Sequence, residues 1–190
     1  ANLEAKNKKD WTPLHTAAAN GRVAAIQALL AKGANIEAKA KKDWTPLHLA
    51  AQEGHTAAIQ ALLAKGAYLE AKANDGSTPL HWAAFKGHAS AIQALLAKGA
   101  NLEAKNKYDE TPLHKAASNG HTAAIKALLA KGANLEAQDK NDRTPLHTAA
   151  LNDQESAIQA LVDKGANIEA KNRFGNTPLR LSVLNGQLAD

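Results

Sequence analysis

The residues in this chain best able to do chemistry are its eight histidines, and their spacing narrows what they do. His15, His48, His81, His114 and His147 recur at intervals of 33, and so do His55, His88 and His121. Imidazole can ligate zinc or act as a general base. Zinc needs nitrogens about 2 Å from the metal, and a base must reach its nucleophile by a hydrogen bond. A strict period instead gives each histidine the same place in successive copies of one unit. Packed units stand about 10 Å apart, the spacing of neighbouring helices, so a histidine ladder is not a metal site. Glu4, Glu37, Glu70, Glu103, Glu136 and Glu169 repeat in "LEA" or "IEA", and read as solvated or lysine-paired rather than as acid/base pairs. Cysteine is absent, which removes thiol nucleophiles, thiolate metal sites and disulfides. The 12 glycines fall at helix ends and turns, with no phosphate cradle among them, and no serine sits in a nucleophile elbow. No catalytic residue, metal ligand or cofactor site follows, so the chain reads as not an enzyme.

The elements that carry these residues are written in the same period. "TPLH" begins at Thr12, Thr45, Thr78, Thr111 and Thr144, and "TPLR" at Thr177. "AIQALLAKGA" follows the first three boxes, and "AIKALLAKGA" and "AIQALVDKGA" the next two. Thr45 is placed to cap a helix, with Pro46 at its first position, where a missing N–H costs nothing. Leu47, Ala50 and Ala51 take i, i+3, i+4 spacing, and Gly54 ends the helix. A second helix starts near His55 or Thr56, with Ile59, Leu62 and Leu63 as its buried stripe and Gly66 just beyond its end. Paired helices are thus predicted over roughly 12–20 and 22–31, recurring every 33 residues. Each helix is too short to stand alone, so neighbouring units must cover one another's stripes in a one-dimensional stack.

A 33-residue unit reading T-P-L-H-x-A-A, then G-H, then A-L-L-x-x-G-A resembles the ankyrin repeat, and the likeness runs along essentially the whole chain. The resemblance implies an all-α fold, an ankyrin-repeat solenoid of helix-turn-helix units joined by β-hairpin loops. It also implies a concave face, lined by hairpin tips and first helices, that binds other proteins. The chain divides as one domain, 1–190: a tail of a preceding repeat at 1–6, repeats at 7–39, 40–72, 73–105, 106–138 and 139–171, and a partial repeat at 172–190. Asp10, Asp43, Asp109 and Asp142 stand where Gly76 and Gly175 mark the turn, Asp153 replaces an inter-helix glycine, and Arg180 replaces a box histidine. Asp tolerates positive φ better than most residues, so these turns should survive.

Function is sought where the repeats differ. The three Trp, two Tyr and two Phe all occupy positions that change between units. The changes gather at the hairpin tips, on one side of the first helices, and at Tyr68, where other repeats carry Asn. Exposed aromatics of this kind are enriched at interface hot spots. The candidate protein-binding residues are Trp11, Trp44, Tyr68, Trp82, Phe85 and Tyr108, flanked by Lys41, Lys42, Lys86 and Lys115. Trp44, Tyr68, Trp82 and Phe85 form the expected aromatic centre. The alternative for Trp11 and Trp44 is loop packing, each ring shielding its own hairpin.

The net charge of +5 and the flanking lysines suit a protein partner with an acidic rim. Basic residues beside aromatics also suit single-stranded nucleic acid, but Asp10, Asp43, Asp109 and Asp142 cut the local field and argue against it. No run nears the roughly 20 apolar residues of a membrane span, and no signal peptide opens the chain. The expected molecule is a monomer, cytoplasmic if natural. Met and Cys are both absent and the second-helix block is nearly invariant, which looks like a consensus-based or library-derived scaffold. A natural array expanded by recent duplication would look similar, and the departures at Asp153, Gln154, Glu155, Val162 and Asp163 suit either drift or an outer capping unit. The runner-up to a protein-binding module is a structural or designed scaffold without a target.

Overall fold

Each Thr-Pro box starts a helix, and a computed structural model describing residues 2–187 shows eleven α-helices among them. First helices are α1 (Pro13–Ala19), α3 (Pro46–Gln52), α5 (Pro79–Lys86), α7 (Pro112–Ser118), α9 (Pro145–Leu151) and α11 (Pro178–Gln187). Second helices are α2 (Val23–Ala31), α4 (Thr56–Ala64), α6 (Ala89–Ala97), α8 (Thr122–Ala130) and α10 (Glu155–Val162). Ala1 and residues 188–190, the outer ends of the domain and of the partial repeat, lie outside the described residues. The boundaries of α1 and α2 fall within the spans predicted from the caps.

The caps explain why helices this short hold. Thr45 is extended (φ −91°, ψ 165°), and its N–H donates to His48 Nδ1 at 3.2 Å. The same Thr–His box recurs at Thr12, Thr78, Thr111 and Thr144, at 3.1–3.2 Å. At the other end of α4, Gly66 (φ 91°) donates to the Leu63 carbonyl and Ala67 to that of Leu62, which closes the last turn. The aspartates that replace glycine do adopt positive φ: Asp10, Asp43, Asp109, Asp142 and Asp153 lie between 54° and 60°.

The chain divides into two units, Ala1–Ala83 with Ser90–Asn101, and Ala84–Ala89 with Leu102–Asp190. A stack in which each repeat touches only its neighbours has no single core to prevent such a division. In the first unit α1 lies against α2 and α3, and α4 against α2 and α3. In the second, α7 and α9 pack side by side, α8 and α10 pack behind them, and α11 lies against α9. Leu14, Leu47, Ile59 and Leu62 form the buried stripe of the first unit, and Leu113, Ile125, Leu128 and Leu146 that of the second. Each such side chain contributes about 1.5–3 kcal/mol.

Three details differ from the sequence pattern. Leu63 is only half-buried, and Ala58 shares the fully buried face with Ile59 and Leu62. The variable side of the first helices is not all solvent-facing: Leu49 and Thr148 are buried, because first helices of successive repeats pack against each other there. The connecting hairpins contain no strand among the described residues, because each tip is closed by isolated backbone bonds rather than a ladder. No described helix is long and apolar enough to cross a membrane.

Candidate functional site

The histidines all carry structural work where their bonds are seen. In the Thr boxes Nδ1 accepts the Thr N–H, so Nε2 is the protonated nitrogen and donates across to the next repeat. Its acceptors are the carbonyls of Trp44 (from His15, 2.9 Å), Ser77 (from His48, 3.1 Å), Arg143 (from His114, 2.9 Å) and Asn176 (from His147, 3.0 Å). Burial pushes all four imidazoles below their ordinary pKa, with the carbonyl bond opposing it in part, and His48 falls to about 4. Nδ1 carries the one basic lone pair of the neutral ring and spends it on the Thr box, while Nε2–H is spent on the carbonyl, so no lone pair is offered to a substrate or metal. His55 and His121 donate Nε2–H to the carbonyls of Ala19 and Phe85 in the preceding repeat. Among the described residues no group of three His, Cys, Asp or Glu could hold a metal ion.

The repeated glutamates also have a duty, one that the sequence left as solvation or lysine pairing. Glu4, Glu37, Glu70 and Glu103 each accept the backbone N–H of Asn35, Tyr68, Asn101 and Asn134 in turn, at 2.7–2.9 Å. Glu136 does the same for Asn167 at 2.8 Å. The carboxylate ties each connector to the next. The signal was present in the common period of Glu and Asn, but a contact at a separation of 31 is invisible without the stack.

The variable aromatics fall in both units. In the first, Trp44 and Trp82 pack together with ring centroids 4.4 Å apart and planes at 52°, and His48 lies 6.2 Å from Trp44. Both tryptophans are half-buried, so part of each ring belongs to the packing. Trp11 is half-buried on the first tip, with the Lys9 ammonium 4.9 Å from its ring centroid. Lys41 and Lys42 are exposed on the second tip. Tyr68 is 63% exposed in the connector after α4 and takes no part in these ring contacts.

In the second unit Phe85 is half-buried with the Lys86 ammonium 5.7 Å from its ring, and Tyr108 is 60% exposed on its tip. Lys115, expected as a free flanking cation, is instead half-buried and ion-paired with Glu110. Burial pushes the Glu110 carboxyl up, but the bonds from Lys115 and Asn106 outweigh it and hold the group below its ordinary pKa. The charge of Lys115 is therefore answered within its own repeat.

Trp11, Trp44, Lys9, Lys41, Lys42 and Glu53 enclose a groove of ≈ 350 Å³ in the first unit, floored by Leu49 and Gln52. A larger hollow of ≈ 620 Å³ lies between α1 and α2, but Arg22 is the one charged residue lining it, and little there would orient a ligand. The groove combines apolar walls with convergent charge, which the larger hollow lacks.

A family model described as ankyrin repeats matches three times, over residues 1–73, 68–139 and 124–189. A comparison with curated proteins found no match. With one Thr–His box capping repeat after repeat and the family model covering nearly every residue, the chain belongs to the ankyrin-repeat family, whose members are generally protein-interaction modules and typically non-catalytic.

Proposed function

We propose that this protein is a non-catalytic interaction module that binds a partner protein on the face made by turn tips and first helices. One observation carries the proposal: variable side chains from successive repeats of the first unit, Trp11 on one tip and Lys41, Lys42 and Trp44 on the next, converge on one groove above an unvarying core. Half-exposed tryptophan is among the side chains most enriched at interface hot spots, and the lysines around it suit a charged rim. The absence of catalysis is supported by the histidines, whose ring nitrogens are occupied by the Thr boxes and by neighbouring carbonyls. Panning a displayed random-peptide library on the immobilised protein tests this. Enriched peptides should lose binding on Trp11→Ala and should protect Lys41 and Lys42 from amine labelling. Enriched peptides indifferent to Trp11→Ala, with both lysines still labelled, would overturn it.

A further inference from the structure

The first two turn tips differ from the others in a way that opens the groove. At three other junctions, each within one unit, one tip is tied to the next by a backbone bond: Asn74 N–H to the Lys42 carbonyl at 2.9 Å in the first unit. In the second unit Lys140 donates to Tyr108 at 3.0 Å and Arg173 to Asn141 at 3.1 Å. The counterpart at the first junction, Lys41 N–H to the Lys9 carbonyl, is not formed among the described residues. Asn7, Asn106, Asp139 and Asn172 each accept the N–H groups two and four residues on, which orders their tips. Ala40 and Ala73 hold the same place without an acceptor, and of these two tips only the one after Ala73 is tied to its predecessor. The second tip closes instead as a 3-10 turn over Lys41–Asp43, with Lys42 at φ 64° and Asp43 at φ 58°.

Resting on the interaction face argued above, we propose that this unlatched junction docks an extended acidic segment of a partner protein. Its carboxylates meet Lys9, Lys41 and Lys42. One apolar side chain enters between Trp11 and Trp44, over Leu49. Its backbone pairs with the Lys9 carbonyl and the Lys41 N–H, as an added strand does at a free edge. Charge selects the occupant: three lysines line the groove against one carboxylate, Glu53, which Gln52 holds at 3.1 Å. Asp43 faces Lys39 at 3.7 Å and takes no part in the lining. A nucleic acid strand is the poorer occupant because it needs open ring faces to stack on. Lys9 covers Trp11, and Trp82 packs on Trp44.

Fluorescence anisotropy with three short capped peptides tests the proposal. Each has a central leucine, flanked by glutamates, glutamines or lysines. The glutamate peptide should bind about tenfold tighter than the glutamine peptide, and the lysine peptide should not bind. Lys41→Glu with Lys42→Glu should weaken the glutamate peptide about tenfold or more without moving the urea midpoint appreciably. The Lys41 amide should exchange more slowly in the complex. Equal binding of glutamate and glutamine peptides, indifference to the Lys changes, tighter binding of oligothymidylate, or no peptide binding would each overturn the acidic occupant. If glutamate and glutamine peptides bind equally and both are lost on Trp11→Ala, the interaction face stands and the charge selection falls. If peptides bind but ignore Trp11→Ala, both fall.

Discussion

Trp44 and Trp82 are each other's cover, so truncating either removes part of a packed pair. Trp44→Ala or Trp82→Ala should cost about 2 kcal/mol of stability. Trp11→Ala, whose ring is covered by a lysine, should cost under about 0.5 kcal/mol. Urea unfolding followed by far-UV circular dichroism separates the three, and equal midpoints would contradict the packing. The sequence placed these tryptophans at variable positions, which suggests surface. The half-burial arises from a contact between side chains of different repeats, which spacing alone does not show. The box histidines give a second residue-scale outcome. His15, His48, His114 and His147 have folded pKa values below the ordinary imidazole value of 6.5, so the unfolded chain binds protons first as pH falls. Their contribution is complete above pH 6.5 and is lost as pH drops toward about 4, where His48 titrates in the fold. His48 alone accounts for about 3 kcal/mol over that span. The urea midpoint should already fall between pH 6.5 and about 5, before most carboxylates titrate. A flat midpoint there would count against the histidine ladder.

At the scale of the helix, neighbouring leucines are unequal. Leu62 is fully buried and Leu63 half-buried on α4. Leu62→Ala should therefore cost roughly 2–5 kcal/mol. Leu63→Ala should cost roughly half as much, because less of its surface leaves water. Both are read from urea midpoints, and equal losses would mean that the stripe is wider than the structure shows. The turn between α1 and α2 is similarly constrained. Gly21 has φ 64°, and a Cβ added there would lie 2.7 Å from the His55 ring. Gly21→Ala should cost about 1–3 kcal/mol, from left-handed backbone strain and displacement of His55 from the Ala19 carbonyl. A midpoint unchanged by this substitution would show that the His55 ring moves away freely.

Across the whole molecule, protection should follow cover. Leu179 is 73% exposed, whereas its counterparts Leu14, Leu47, Leu80, Leu113 and Leu146 are at most 2% exposed. Val183 and Leu184 are also exposed, while Leu181 is buried on the side of α11 that meets α9. Leu181 sits at the variable position of the first helix, in register with Leu49 and Thr148, which the side-by-side packing of first helices covers. Native-state hydrogen exchange should be fastest beyond Thr177 and slowest in α3, α4, α7 and α8, since local opening follows the apolar cover that it breaks. Uniform protection through α11 would contradict this.

The repeat period, the caps, the buried stripes and the positive-φ aspartates were all legible in the sequence, because each is a local rule written in repeat after repeat. Thr45, Pro46 and His48 specify a helix start from four consecutive residues, and the structure keeps it. Contacts between repeats were decided only by the tertiary structure. The Glu37 bond to the Tyr68 N–H and the pairing of Trp44 with Trp82 depend on which side chains the stack brings within reach. The unlatched first junction belongs to both levels. The lysines and tryptophans of the two tips are visible in the sequence, but the missing bond appears only in the fold, where Lys42 turns left-handed and the Lys9 carbonyl and Lys41 N–H are left unjoined.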